Sequence, residues 1–259
     1  MVPWHDMFDM VISLCFTGNA DRVPPLDREL ERVGLKPDLR IWNVPSPHEL
    51  TVVNALPLKK RWMVDSAGFR NSGFGHYRAV KTARELGARR VLIVEDDIRF
   101  LRDADALAET VATMPRDSNV WLFDLLKRGS EDTGAIRKAL EASASGRWTR
   151  PTDNPCSMAC YGLDRTGMDF IVNCFEGAFA GRWPLGIADH YFWRRWHGGR
   201  LRFACAWPLA CIQVPLGTVS NTAAVFGKND PNCQLDWYRE LGMDLSAYRF
   251  DAPSPPPSR

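Results

Sequence analysis

The stretch "RRVLIVEDDIRF" (Arg89 to Phe100) sets a continuous apolar run directly before three consecutive carboxylates, Glu95, Asp96 and Asp97. An apolar run with no polar alternation is expected of a strand covered on both faces, the situation of a sheet with helices on either side. Upstream, "GHYRAVKTAREL" (Gly75 to Leu86) has helical spacing, with Tyr77, Val80 and Ala83 on one side and Arg78, Lys81 and Arg84 elsewhere, and Gly87 closes it. Before that come a buried strand over Met10 to Phe16, a helix with Pro24 and Pro25 at its start and Gly34 at its stop, and a short strand at Leu39 to Trp42. The proline-rich "NVPSPHEL" that follows is expected to be loop. Downstream the spacing predicts a helix over Asp103 to Thr113, a strand over Asn119 to Leu126 and a partly helical excursion from Lys127 to Gly146. After these come a strand in "SMACYGL", a helix in "RTGMDFIVNCF" and one or two strands in "LRFACAWPLACIQV". Strand alternating with helix implies an α/β/α sandwich of Rossmann type with a mostly parallel central sheet.

The chain has 259 residues and 45% hydrophobic content, enough for one domain with a sizeable core, expected over residues 1–251. Residues 252–259, "APSPPPSR", are proline-rich and expected to be a disordered tail. With 33 basic and 31 acidic residues the formal charge is +2, so no global field recruits nucleic acid or an anionic membrane. No apolar run approaches the roughly 18 residues of a membrane span, and the N-terminal stretch lacks a basic region ahead of its short apolar one. A cytoplasmic protein is therefore expected. The seven cysteines are odd in number, scattered and partly inside apolar segments, which fits reduced thiols. Cys156 and Cys160 could be half of a zinc site, but no CxxC occurs and no second ligand pair has finger-like spacing.

In an open α/β sheet, ligands bind outside the carboxyl ends of the strands, where Glu95, Asp96 and Asp97 are expected to lie. Three adjacent carboxylates repel one another unless something compensates, and a hard divalent cation is the usual answer. Mn²⁺ or Mg²⁺ would serve, with positions left open for phosphate oxygens. The alternative is that Asp96 or Asp97 caps a turn and the others are solvated. The loop "TGNADR" (Thr17 to Arg22) leaves the first strand at the same sheet edge, so Asn19 and Arg22 are candidates for phosphate contacts. For Arg22 a surface ion pair with Asp21 or Asp27 competes with that role. "DSAGFRNSGFGHYR" (Asp65 to Arg78) reads as a glycine-bearing loop able to bring backbone N–H groups to a diphosphate.

The order of "VISL", "ADR", "GFGHYRAVKTARELGARRVLIVEDDIRF" and "VWLFDLL" resembles glycosyltransferase family 25, the lipooligosaccharide and collagen galactosyltransferase group. The likeness covers roughly Met10 to Leu126, and its specific part is the EDD block with the helix upstream. The resemblance implies a GT-A-like fold with a nucleotide-binding half over about 8–126 and an acceptor half over about 147–251. It also implies a nucleotide-sugar donor, usually UDP-galactose, Mn²⁺ and a glycan acceptor. Carried over, Glu95-Asp96-Asp97 take the place of the acidic motif. Asp97 is the leading metal ligand, Asp96 stands beside it, and Glu95 or Asp96 faces the ribose or a metal-bound water. His76 falls where the family has the His of a Ser-His pair, but Gly75 replaces the Ser. Taken alone, His76 reads as a structural or helix-terminal residue.

For inversion, a base must take the proton of the acceptor hydroxyl. "WPLGIADHYFWRRWHGG" (Trp183 to Gly199) offers Asp189, similar in setting to the base-bearing Gly-x-x-Asp segment of inverting enzymes. Helix capping is its competing role. His190 is a candidate metal ligand there, and Trp183 and Tyr191 could stack on a sugar or belong to the core. Further on, "IQVPLGTVSNTAAVFGKNDPN" contains Gln213, Ser220 and Asn221, with Ser220 assigned to the donor side by the resemblance. A degenerate domain that binds without turnover and a metal-dependent phosphoester hydrolase are the alternatives, the latter needing a second set of metal ligands.

Overall fold

A computed structural model describes residues 4–15, 20–55, 67–125, 132–150, 157–183, 185, 191, 201–214 and 233–246. The first strand, β1 (Met10–Cys15), pairs in parallel with β2 (Leu39–Trp42) on one side and with β3 (Arg90–Glu95) on the other. Beyond β3 lies β7 (Cys160–Asp164), antiparallel to it, then β5 (Val120–Leu122), β8 (Phe203–Ala206) and the edge strand β6 (Trp148–Thr149). The order in the seven-stranded sheet is thus β2-β1-β3-β7-β5-β8-β6, with β7 and β6 running against the other strands. A second sheet pairs β4 (Ile98–Phe100) with β9 (Cys211–Gln213) in antiparallel fashion.

Side chains of a strand alternate between the two faces of a sheet. Along β3, Val91 and Ile93 enter one core while Leu92 and Val94 enter the other. The first core is closed by α4 (Ala67–Glu85) and α7 (Arg165–Phe179), the second by α1 (Trp4–Met7), α2 (Val23–Arg32) and α5 (Ala104–Ala112). Both faces of the sheet are therefore dry, which is why β3 carries no polar alternation. Each fully buried aliphatic or aromatic side chain in these layers contributes about 1.5–3 kcal/mol. The arrangement is the α/β/α sandwich expected. Two further helices, α6 (Thr133–Ala142) and α8 (Cys233–Glu240), join the α4 side of the molecule.

Local signals explain the element ends. Prolines 24 and 25 open α2, and Gly34 follows it at φ +66°, a conformation that a side chain would strain. Asp103, Asp132 and Asp164 cap α5, α6 and α7 by accepting backbone N–H bonds.

Three expectations change. The segment expected as loop after Trp42 becomes α3 (Pro47–Ala55), because Ser46 and Glu49 form a reciprocal capping box: Ser46 N–H donates to Glu49 at 2.5 Å and Glu49 N–H to Ser46 Oγ at 3.2 Å. The glycine-bearing loop expected over Asp65 to Arg78 is helical from Ala67 onward, so its N–H groups from the second turn on serve helix bonds. The strand expected over Asn119 to Leu126 is confined to Val120–Leu122.

Cys15, Cys160, Cys174, Cys205 and Cys211 are free and buried. Burial pushes the thiols of Cys160, Cys205 and Cys211 up, leaving them protonated and apolar in character at neutral pH. Among the described residues no helix is long and apolar enough to cross a membrane. The tail 252–259 and Cys156 lie outside the described residues.

Candidate nucleotide-sugar and metal site

Glu95 ends β3, and Asp96 and Asp97 form the turn that leads into β4. Alternation divides the first two between the faces of the sheet. Glu95 continues the side of Val91 and Ile93, where α4 and β7 supply His76 and Tyr161. Asp96 turns to the other side and meets Arg22, which ends a single 3₁₀ turn (Ala20–Arg22) just before α2. The acidic triplet is thus spread over the C-terminal mouth of β1 and β3, which run in parallel.

The contacts form a continuous network. The Nη1 of Arg22 lies 3.3 Å from Asp96 Oδ1 and 3.9 Å from Asp97 Oδ2, with Arg22 only 9% exposed. Gln213, at the end of β9, donates its amide to Glu95 Oε2 at 3.3 Å and faces both Asp97 oxygens, at 3.2 and 3.1 Å. The Val214 N–H donates to the Asp97 carbonyl at 2.7 Å, fixing the turn against the second sheet. On the opposite side His76 bridges Tyr161, 3.0 Å from Nδ1, and Glu95 Oε1, 3.1 Å from Nε2. A carboxylate only accepts, so with Glu95 ionised Nε2 is the donor, and Nδ1 of a neutral ring accepts the Tyr161 hydroxyl proton. Glu95 is therefore held at both oxygens.

The surroundings of Asp97 are unfavourable to its ionisation. Burial pushes the Asp97 carboxyl well above the ordinary carboxylate value, and the Glu95 and Asp96 charges push the same way, while Arg22 and the Gln213 hydrogen bond pull against them. Although 19% of the Asp97 side chain meets solvent, its surroundings are dense enough for desolvation to dominate.

The sequence candidates fall out as follows. Asp96, Asp97, Glu95 and Arg22 are brought together. Arg22 is buried with its guanidinium against Asp96 and Asp97, and Asp27 pairs with Arg40. His76 lies well inside α4 rather than at its end, and is 2% exposed. Gly75, where the family pattern has Ser, packs so closely that an added Cβ would fall 1.3 Å from Asn43 Oδ1. Tyr191 is buried with its ring against Phe175, and Trp183 packs over Gly177 with its indole N–H donated to the Cys174 carbonyl at 2.7 Å, so both serve the core. Asn19, Asp189, His190 and Ser220 lie outside the described residues.

Two members of the network carried no assigned role in the sequence. Tyr161 sits inside an apolar strand and offers no signal of its own. Gln213 does: it is the first polar residue after an apolar run, as Glu95 is. Asp124 has that signal too, but its carboxylate serves the fold, accepting from the Ser157 hydroxyl and from the Cys160 N–H at 3.1 Å.

A hard divalent cation fits these donors. Asp96 and Asp97 present carboxylate oxygens on adjacent residues at the mouth of the sheet, the ligand type that Mg²⁺ and Mn²⁺ prefer. Among the described residues no three His, Cys, Asp or Glu side chains converge as a complete cage. One or two carboxylates, with the remaining positions left to water and phosphate oxygens, is the usual arrangement for such an ion at a nucleotide.

No protein-family model matches the chain. No curated protein matches it either. Several solved structures have a distantly similar backbone. A glycosyltransferase involved in glycosylation of the major capsid of PBCV-1 is 8% identical with a TM-score of 0.44, covering 91% of this chain and 100% of that one. The mannosyltransferase PcManGT of Pyrobaculum calidifontis, solved with GDP-Man and Mn²⁺, is 12% identical with a TM-score of 0.44 over 92% of this chain and 74% of that one. The galactosyltransferase LgtC, solved with donor and acceptor sugar analogues, is 11% identical with a TM-score of 0.37 over 71% of this chain and 69% of that one. All three are glycosyltransferases, and likenesses this distant carry no conclusion about activity.

Proposed function

We infer that the protein is a metal-dependent, inverting glycosyltransferase that moves a hexose, galactose on the sequence resemblance, from a UDP-sugar to a glycan hydroxyl. The observation that carries this is the acidic triplet spread across the C-terminal mouth of parallel strands, with a buried arginine against two of its members. In this reading Asp97 and Asp96 hold Mn²⁺ or Mg²⁺, with His190 as a further ligand. The ion, when bound, neutralises the departing diphosphate.

The remaining roles belong to the chain itself. Glu95, gripped by His76 and Gln213, is a rigid acceptor for a ribose hydroxyl. Arg22 and Asn19 contact phosphate oxygens, and Ser220 lies on the donor side. Asp189 takes the proton from the acceptor hydroxyl as that oxygen attacks the anomeric carbon from the face opposite the diphosphate. The bond to the diphosphate oxygen breaks as the new glycosidic bond forms, and its electron pair leaves with UDP. Binding energy and electrostatic positioning supply the rest of the acceleration. A cytoplasmic, glycan-building enzyme is the setting this chemistry suits.

The test offers UDP-galactose and UDP-glucose with Mn²⁺ to the protein and a panel of glycan acceptors, and follows UDP release and the product's anomeric configuration by NMR. An inverted glycoside from the native protein, lost in Asp189→Asn while UDP still binds, is the expected result. UDP binding without product would favour a non-catalytic domain instead, and turnover of simple phosphoesters would favour a hydrolase.

A further inference from the structure

Gln213 stands where one kind of cation would compete with it. With the carboxylates ionised, as a bound cation requires, only the NH₂ end of its amide can face them, since a carboxylate accepts and does not donate. Its Nε2 lies 3.2 Å from Asp97 Oδ1 and 3.1 Å from Asp97 Oδ2. Nearly equal distances to both oxygens put the nitrogen on the bisector of the carboxylate. A donor approaches such a group close to its plane, so the amide stands across the open edge between the two oxygens. That edge is where an ion gripping the carboxylate by both oxygens would sit.

The amide is tethered on several sides. The same nitrogen donates to Glu95 Oε2 at 3.3 Å, and the other Glu95 oxygen is held by His76. The main chain is fixed as well. Gln213 pairs with Ile98 in the β4–β9 register, and its N–H donates to the buried Tyr238 hydroxyl at 3.3 Å. The next residue, Val214, donates its N–H to the Asp97 carbonyl at 2.7 Å. Asp97 and the amide across its edge thus belong to one hydrogen-bonded unit.

We propose that Gln213 sets the metal selectivity of the site: by standing across the open edge of Asp97 it restricts that carboxylate to one-oxygen ligation, which suits Mn²⁺ and Mg²⁺ and disfavours Ca²⁺. The proposal rests on the metal reading above and deepens it. Ca²⁺ gathers more oxygens than the smaller ions, in flexible geometry, and readily takes a carboxylate by both of its oxygens. Mg²⁺ and Mn²⁺ favour an octahedron, which the narrow bite of a chelating carboxylate distorts. The outer lone pairs of Oδ1 and Oδ2, which the amide does not take, serve such an ion.

Mn²⁺ and Ca²⁺ themselves are the probes, Mn²⁺ read by the EPR signal of the free ion and Ca²⁺ by the Mn²⁺ it displaces. Gln213→Leu keeps most of the bulk and removes the donor. Its ratio of Ca²⁺ to Mn²⁺ affinity is expected to rise about tenfold over that of the native protein, the low end of what the outer partners of a metal ligand control. A purely structural role would weaken both ions in step and leave the ratio alone. If Gln213→Leu does not fold, Gln213→Ala carries the same expectation. A ratio that is unchanged or lower in a folded variant overturns the proposal and makes Gln213 a support of the carboxylates only. Native protein that binds Ca²⁺ as tightly as Mn²⁺ overturns it without any variant. Native protein and Asp97→Ala binding Mn²⁺ alike would overturn the metal reading itself, and the proposal with it.

Discussion

The two ends of β3 treat negative charge in opposite ways. At the N-terminal end a single carboxylate, Asp9, accepts the backbone N–H groups of Arg89 and Arg90 at 2.9 and 2.8 Å and the Arg89 side chain at 3.0 Å. Burial works against its ionisation, but the Arg89 side chain and the two backbone donors outweigh it and hold the carboxyl below its ordinary value. At the C-terminal end three carboxylates crowd together, and Asp97 is driven the other way, well above its ordinary value, by burial and by its neighbours. One end is satisfied by the fold alone and the other is not. A carboxyl driven up by burial and like-charged neighbours at the mouth of a sheet is the kind of group that ligand sites collect, and the proposed function rests on that contrast.

Neutral variants of the two carboxylates should separate these ends most sharply. Asp97→Asn is expected to lower Mn²⁺-dependent UDP binding by about 100-fold or more, the loss seen when a metal's ligand environment is broken. Asp9→Asn should leave that binding unchanged, as isothermal titration of both variants would reveal. A comparable loss in both would erase the contrast.

The departure from the family pattern at Gly75 gives the next largest effect. Gly75→Ser drives a Cβ into Asn43 Oδ1 and is expected to destabilise the protein by about 1–3 kcal/mol, the usual cost of overpacking. In an Asn43→Ala background the same serine should cost less, and a double-mutant cycle in urea would yield a coupling of about 1 kcal/mol. Additive costs would mean that Asn43 is not what requires a glycine there.

His76→Ala removes the bridge between Tyr161 and Glu95 and is expected to cost about 1–3 kcal/mol, the penalty of deleting one partner of buried hydrogen bonds. Tyr161→Phe, which deletes one hydrogen bond and leaves the ring in place, should cost about 1 kcal/mol. Denaturant midpoints for the pair rank the two directly.

The smallest effect is the one with opposite signs at the two ends. A carboxyl whose value is raised in the native state, as for Asp97, weakens the fold once ionised. That penalty is complete above the native-state value and vanishes as pH falls to the unfolded value of about 3.9. For Asp9 the value is lowered, so its contribution is present above the unfolded value and is lost as pH falls through the native one. In metal-free buffer near pH 7, Asp97→Asn should therefore melt above the native protein and Asp9→Asn below it. The Asp97 difference should vanish as the pH falls to about 4, whereas the Asp9 difference should persist to about 4 and shrink only below it. Melting curves at several pH values in EDTA would expose a wrong sign at either end.

Much of this was legible from residue order. The run Val91 to Val94 announced a doubly covered strand because nothing polar interrupts it, and the carboxylates behind it marked the mouth of the sheet. Prolines 24 and 25 and Gly34 bounded α2 because they act through the backbone alone. Where the reading went astray, a composition rule met a specific local contact. Prolines suggested a loop before His48, but the Ser46 and Glu49 side chains cap a helix there. Glycines suggested a loop before Gly75, whereas that glycine is required by Asn43 packing against a helix. The antiparallel sense of β7 could not be foreseen, since a short buried run looks the same in either direction. Of the network, Tyr161 stayed hidden inside an apolar strand 85 residues from His76, and Gln213 was named without a role because its partner Glu95 lies 118 residues away in the chain.

The central claim is that the crowded end of β3 awaits a cation and a nucleoside diphosphate together. Titration calorimetry of the native protein with UDP, once in Mn²⁺ and once in EDTA, tests it most directly. The account expects saturable heat in Mn²⁺ and little in EDTA. Equal binding in both buffers, or none in either, would contradict it.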